Sequence, residues 1–368
     1  MNPPKRPFHE VAEAIKRFGP AFRARGNVPV HHLRTLSALE RCRTAALGGH
    51  LDACTACGVV SISYNSCRNR HCPQCQSDKA QQWLMRQQQM LLPVPHYLLT
   101  FTLPAALRLL ARSQQKLFYN LLFRASAAAT QQLAQNPRWL GGSVGMVGVL
   151  HTWGRTLSYH PHVHYLVPAG AWDGQVWRYG RSSRFFLPVH ALSILFRAKF
   201  RDGLKKHGCF TSIPAAVWSQ NWVVHCQPVG RGQRALRYLA AYVFRVALAT
   251  WRLVSVTDES VTFRFRPSGS REWRLCTVSA LEFIRRFLQH VLPKGFVKVR
   301  YYGFFSPGQR PLLHQIVTWF TPASSPPAAR QQSQNTSPSD WCPRCPHCGQ
   351  PLHLVQKLKP NNLRAPPL

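Results

Sequence analysis

The sequence predicts an α+β chain: a small helical, cysteine-rich module followed by a larger domain in which an antiparallel sheet is flanked by helices. Three observations predict it. Apolar residues recur at helical spacing over residues 8–47, in VAEAIKRF and HHLRTLSALERCRTAAL, ahead of a turn-rich stretch crowded with Cys and His from His50 to Cys75. A Gln-rich helical run, DKAQQWLMRQQQMLL, stops at Pro93 and Pro95, which mark a domain boundary. From His96 onward, strand-like and helix-like stretches mix without strict alternation, the pattern of an α+β sheet domain.

The elements of the second part follow in order. HYLLTFTL reads as a strand, and residues 105–135 as one or two helices. SVGMVGVLHTW and HVHYLV read as two strands joined by a short turn, hence antiparallel neighbours. PVHALSILFRAKFRDGLKKH is a basic amphipathic helix, WVVHC a strand, and residues 233–249 another helix. VSVTDESVTFRF has the look of a hairpin and LEFIRRFLQHVL of a further helix. Residues 323–340 are rich in Pro, Ser and Gln and read as a disordered linker, beyond which CPRCPHCG forms a terminal cysteine cluster. The expected organisation is therefore a helical metal-binding module over 1–95, a sheet domain over 96–315, a linker over 316–340 and a separate cysteine knuckle over 341–368.

Charge narrows the partners. The 368 residues carry 47 Lys+Arg against 12 Asp+Glu, a formal net charge of +35, with arginines along the whole length. Such an excess repels itself in a compact fold unless a polyanion neutralises it, and nucleic acid does so through phosphate contacts and counterion release. No apolar run reaches the roughly 18 residues of a spanning helix, so a membrane is not the expected partner. The start, MNPPKRPFHE, lacks a signal-peptide hydrophobic region, and the expected location is the cytoplasm. The 12 cysteines then argue for metal binding rather than disulfides. The 12 carboxylates, scattered from Glu10 to Asp340, leave little material for a two-metal nuclease held by acidic side chains.

Cys54-x2-Cys57 and Cys72-x2-Cys75 are separated by fourteen residues, a spacing that sets four thiolates around one tetrahedral zinc. Reduced structural cysteines or an iron–sulfur site are the alternatives. Cys42, His50, Cys67 and His71 lie close by, as bystanders or as ligands of a second ion. With all ligands drawn from protein the site is structural. Arg68 and Arg70, between the pairs, are candidates for DNA contact or for plain surface charge. Cys342, Cys345 and Cys348, with His347 or His353 as a fourth ligand, suggest a further zinc, while the isolated Cys209, Cys226 and Cys276 read as buried thiols.

His160-Pro161-His162-Val163-His164 opens a strand ending in Tyr165-Leu166-Val167. Strand side chains alternate, so His162 and His164 share a face with Val163 packed beneath, and two imidazoles so placed suit one divalent ion. His160 and His151 are the candidates for a third ligand. Two protein ligands leave open positions, and such an ion can polarise a phosphate oxygen. In the helix that follows Gly232, Leu236, Leu239, Val243 and Val246 form one apolar stripe. Tyr238 and Tyr242 lie nearly opposite, with Arg234 and Arg245 beside them to hold a phosphate. Tyrosines kept only for packing would align with the leucines.

CRTAALGGH, YNSCRNRHCPQCQ, LHTWGRTLSYHPHVHYLVP, ALRYLAAYVFRVAL and EFIRRFLQHVLPKGFVKVRYYGF, in this order, make the chain over residues 25–315 closely resemble the bacterial rolling-circle transposases of the IS91 type. These belong to the HUH nucleases, named for a His-hydrophobe-His motif, here His162-Val163-His164. The resemblance implies an N-terminal zinc-binding domain for DNA end recognition and an antiparallel-sheet HUH nuclease domain that uses Mg²⁺ or Mn²⁺. It also implies attack by tyrosine on single-stranded or hairpin element ends, giving a 5′-phosphotyrosine and a free 3′-hydroxyl that strand transfer rejoins. Tyr238 and Tyr242 match the family's tyrosine pair. Where many members read Tyr-Thr-His-Arg, this chain reads Tyr242-Val243-Phe244-Arg245. The rival readings are a replication initiator or relaxase with the same chemistry, and a zinc-dependent DNA-binding regulator whose nuclease site has decayed.

Overall fold

A computed structural model describes residues 10–180, 182, 185–211, 213–244, 248–267, 269–321 and 343–361. Two helices, α1 (Val11–Ala24) and α2 (Val30–Glu40), precede the hairpin β1 (Gly49–Ala53) and β2 (Val60–Tyr64), and α3 (Ser77–Gln88) closes the module. The sheet domain begins with β3 (His96–Thr102), α4 (Arg108–Ser113) and α5 (Gln115–Gln135), then the long hairpin β4 (Met146–Trp153) and β5 (Tyr159–Pro168). A short hairpin β6 (Gly170–Trp172) and β7 (Trp177–Tyr179) leads to α6 (Val189–Lys206), α7 (Ala216–Ser219), β8 (Val224–Pro228) and α8 (Gln233–Phe244). The chain continues through β9 (Leu253–Val256), β10 (Ser260–Phe265), β11 (Arg274–Ser279), α9 (Ala280–Leu288), β12 (Val299–Tyr302), α10 (Arg310–Trp319) and β13 (His353–Leu358). The α+β class is as the sequence predicts, and all described strand pairs are antiparallel.

The central sheet has five strands in the order β12-β4-β5-β3-β8. Side chains alternate on β5 with the period of two that separates its faces. Tyr159, Val163, Tyr165 and Val167 enter the main core against α5 and α6, among Phe118, Phe123, Phe196 and Phe200. Full burial of one such aromatic contributes roughly 1.5–3 kcal/mol, so this face sets the register of the strand. The buried phenols are satisfied: Tyr165 donates to the Phe123 carbonyl at 3.1 Å, and the Tyr119 and Tyr159 hydroxyls meet at 2.7 Å. Gly148 on β4 makes room for the Tyr165 ring, because a Cβ there would stand 2.5 Å from it. The opposite face carries Val149 and Leu166 against Ala235, Leu236 and Leu239 of α8, and α3 packs on α8 from outside through Trp83 and Leu84.

The N-terminal module is seated on the same domain. Val11, Ile15 and Phe18 of α1 pack with Phe263, Phe283 and Phe287, joining α1 to α9 and to the second sheet, of order β11-β10-β9. Arg70 donates to the carbonyls of Phe296 (2.7 Å) and Pro293 (2.8 Å), and His71 Nε2 accepts from the Leu292 N–H at 3.2 Å. The C-terminal stretch departs from expectation. Rather than standing alone, β13 pairs with β1 to make a three-stranded sheet of order β13-β1-β2. The linker expected over 316–340 is corrected at its start, where residues 316–319 complete α10 with Ile316 buried in an apolar cluster; residues 322–340 lie outside the described residues. No described helix is long and apolar enough to cross a membrane.

Several histidines are folded into places where burial opposes protonation. Burial, the largest cause, pushes His290 down to about 3 and His96 to about 4. His290 sits between the Thr152 hydroxyl (3.2 Å) and the Leu157 carbonyl (3.1 Å). A lowered folded-state pKa means that below about 6.5 the unfolded chain binds protons the native one refuses. Stability is therefore intact above pH 6.5 and drains as pH falls toward 3, with His290 alone costing on the order of 2 kcal/mol at pH 5. Thermal unfolding followed from pH 7.5 to 5 is expected to show a falling midpoint, and the fall should be shallower in His290→Gln. An equal pH slope in the variant would remove His290 from this account.

Candidate active site and metal centres

His162 and His164 leave β5 on the face that α8 covers, as their spacing predicts. The third histidine is His151: its partner across the β4–β5 ladder is His162, and ring nitrogens of His151, His162 and His164 all lie within 4.8 Å of one another. The other candidate, His160, is diverted. The ladder slips between His151 and Trp153, so that Trp153 faces Tyr159, and this extra residue on β5 falls where Pro161 has no N–H to donate. His160 Nδ1 then accepts from Arg108 Nη2 at 2.7 Å.

Hydrogen bonds orient the two motif histidines. His162 Nδ1 lies 2.6 Å from the His160 carbonyl, which can only accept, so the proton is on Nδ1 and Nε2 offers its lone pair. His164 Nδ1 meets Thr100 Oγ1 at 2.7 Å, while its buried Nε2 has no hydrogen-bond partner among the described residues. Burial lowers His162 to about 4 and holds His151 and His164 well below the usual imidazole range. The donors are thus neutral imidazoles with lone pairs converging, a set that fits a divalent ion. Trp153 stacks on His151 at 5.3 Å and fixes the plane of that ring.

Tyr238 projects from α8 into this group. Its ring centre is 6.0 Å from that of His164 and 6.3 Å from that of His151, and the residue is 43% exposed. The helix starts after a turn in which Gly232 has φ +84°, a conformation L side chains rarely adopt, and Leu236, Leu239 and Val243 hold its other face on the sheet and α3. Tyr242 lies one turn further along, and its side chain, like all of Arg245, falls outside the described residues. Arg234 is on α8 and exposed. Histidines and tyrosine share a cleft of about 800 Å³ with Arg155, Arg252 and Arg266, and no carboxylate is among the described residues lining it. A phosphodiester enters such a cleft without like-charge repulsion.

The sequence gives no sign of several residues here. Thr100 and His225 are cross-strand partners on β3 and β8, so His225 reaches the cleft only through a pairing of distant segments. Trp251 and Trp273 come from the segments that lead into β9 and β11 of the second sheet. Alternation within WVVHC is the one signal that could have singled out His225.

The cysteines form two quartets, and the expected single site of Cys54, Cys57, Cys72 and Cys75 is corrected. Cys42, Cys67, Cys72 and Cys75 make one group; Cys54, Cys57, Cys345 and Cys348 make the other. The cause is the β1–β2 hairpin. Cys54 and Cys57 sit at its tip and Cys67 to Cys75 beyond its base, a strand of five residues apart, or about 16 Å at roughly 3.3 Å per residue. Cys42 completes the base quartet, and the tip quartet is completed from the far end of the chain, where β13 brings Cys345 and Cys348 alongside. Sulfurs lie 3.6 Å apart for Cys42–Cys72, 3.7 Å for Cys67–Cys75, 3.4 Å for Cys54–Cys348 and 3.6 Å for Cys57–Cys345. Ligands on a tetrahedral zinc at about 2.3 Å stand roughly 3.8 Å apart, so both quartets have the span of a structural zinc. His50, His71, His347 and His353 stand outside both groups, Cys342 lies outside the described residues, and Cys209, Cys226 and Cys276 are partly exposed rather than buried. Arg68 is exposed, with φ +52°, whereas Arg70 is committed to the Pro293 and Phe296 carbonyls.

Comparison with known proteins places the chain among transposases. A family model described as "Transposase zinc-binding domain" matches residues 14–103, and one described as "Putative transposase" matches residues 145–311. A relative from Sinorhizobium fredii (strain NBRC 101917 / NGR234), described as "Putative transposase y4qJ", is 42% identical over 319 residues, covering 80% of each chain. The transposase for insertion sequence element IS801 of Pseudomonas savastanoi pv. phaseolicola is 28% identical over 317 residues, covering 80% of this chain and 76% of its own. No solved structure matches.

Two outcomes are expected. Elemental analysis should find two zinc ions per chain, one of them lost in Cys345→Ser without loss of the other; one ion in the intact protein would refute the two-quartet arrangement. Thr100→Val removes the hydroxyl that orients His164, and by the usual effect of such supporting groups should weaken divalent-ion binding about 10- to 100-fold in calorimetry.

Proposed function

Because the chain belongs to the IS91-type transposases, we propose that it nicks and rejoins single DNA strands at element ends through a 5′-phosphotyrosine, in rolling-circle transposition. The observation that carries this reading is the exposed Tyr238 ring 6.0 Å from His164, over three converging neutral imidazoles. His151, His162 and His164 would hold the ion, Mg²⁺ or Mn²⁺, which when bound would polarise a non-bridging phosphate oxygen.

The chain's own residues supply the rest. Arg155, Arg252 and Arg266 draw the strand into the cleft, and α8, held between sheet and α3, keeps Tyr238 beside the histidines. The Tyr238 oxygen gives up its proton and bonds to phosphorus, the bond from phosphorus to the 3′-oxygen breaks, and that proton, passed through solvent, ends on the leaving oxygen as a 3′-hydroxyl. Tyr242 is assigned the second exchange, in which a 3′-hydroxyl displaces the linked tyrosine. The zinc-bearing module serves end recognition, with Arg68 as its candidate DNA contact. A replication initiator or relaxase would use the same chemistry, but the relatives are described as transposases.

Labelled single-stranded element ends incubated with the protein and Mn²⁺ are expected to be cleaved. Tyr238→Phe should lower the rate of the first cut at least 10³-fold while leaving strand binding within about twofold, and His164→Ala should lower it by a comparable factor. Cleavage by Tyr238→Phe at the wild-type rate would overturn the assignment.

A further inference from the structure

We propose that Trp251 and Trp273 form a stacking wall for an unpaired DNA base next to the scissile phosphate, and that this wall selects single strands over duplex. The inference rests on the nuclease reading above and assigns part of its substrate.

Both tryptophans line the cleft that holds His162, His164 and Tyr238. Trp251 is 48% exposed and Trp273 43%, whereas Trp153, Trp172, Trp177 and Trp222 are buried. Scattered exposed apolar residues are ordinary; these two are paired and braced. Their ring centres stand 5.4 Å apart at 86°, one edge against the other's face. The Arg264 guanidinium lies 4.9 Å from the Trp251 ring and 5.9 Å from the Trp273 ring, and donates to the Trp251 carbonyl at 2.8 Å. Arg266 sits 4.8 Å from the Trp273 ring centre at the cleft wall.

The second sheet, whose β9 and β11 begin just after these tryptophans, is fastened to the histidine-bearing hairpin. Arg155, in the turn between β4 and β5, donates to the Pro267 carbonyl at 2.9 Å, and Arg252 donates to the Arg155 carbonyl at 2.9 Å. The aromatic wall therefore keeps a set position relative to the histidines. Flat apolar rings beside exposed guanidinium groups, with no carboxylate among the described residues lining the cleft, suit a nucleotide: the ring takes the base, the cation the phosphate. Each base of a duplex already has both faces covered by its neighbours, so only an unstacked base can occupy the wall. Tyr238 and the histidines supply no such discrimination, because a phosphodiester is the same in either form.

The test is anisotropy of fluorescein-labelled DNA with the full chain and no added divalent ion, comparing a short single strand, its duplex, and a base-less phosphodiester of equal length and charge. Stacking on an aromatic contributes about 1–3 kcal/mol per base, so Trp273→Ala and Trp251→Ala should each weaken single-strand binding about 5- to 150-fold. They should leave the duplex and the base-less strand unchanged, and leave the salt slope unchanged. Trp273→Phe should keep most of the affinity. Arg266→Ala should weaken all three ligands and lower the salt slope by about one. Wild-type single-strand affinity in both alanine variants would overturn the proposal, as would an equal loss on the base-less strand, which is what a folding defect gives. If the tryptophan effect appears but the wild-type chain forms no covalent adduct, the nuclease reading falls and the stacking wall stands.

Discussion

Alternation along β5 is the constraint on which the rest depends. One face of the strand must carry Tyr165 and Val163 into the aromatic core, because that burial holds the sheet to α5 and α6. With that face committed, His162 and His164 have no choice but the other, where α8 brings Tyr238. A slip of one residue would bury the imidazoles among phenylalanines and expose the core residues. Fold stability and placement of the histidines are thus enforced by the same packing.

The tyrosine helix is held from both sides, and this ties the metal-bearing module to the chemistry. α8 rests on Val149 and Leu166 of the sheet, and α3, which leaves the cysteine-rich module, covers it through Trp83 and Leu84. The base quartet shares its core with α1 and α9, and its Cys75 stands two residues before the start of α3. The tip quartet joins two segments almost 300 residues apart, Cys54 and Cys348 being 294 positions from each other. It closes the β13-β1-β2 sheet and draws the C-terminal segment onto the N-terminal module.

What could be read directly in the sequence was local. The His162-Val163-His164 alternation, the placement of Tyr238 away from the leucines of α8, and the helices flanking the sheet follow from periods of 2 and 3.6 within one segment. What could not be read depends on segments meeting in space. His151 became the third donor only through the β4–β5 register, and His160 was removed from contention by a bulge at Pro161 and by Arg108. The cysteine spacing pointed to zinc and to the wrong four ligands, because two pairs at a suitable distance along the chain need not be neighbours once a hairpin separates them. Trp251 and Trp273 carry no motif and gain meaning only from the cleft they line.

Peptide mapping of the covalent complex addresses the central claim most directly. After reaction with a single-stranded element end and Mn²⁺, nuclease digestion and mass spectrometry should find a nucleotide phosphate on Tyr238, and none when His164 is alanine. A nucleotide linked to a residue outside α8, or strand cleavage that leaves no protein-bound nucleotide, would contradict the account.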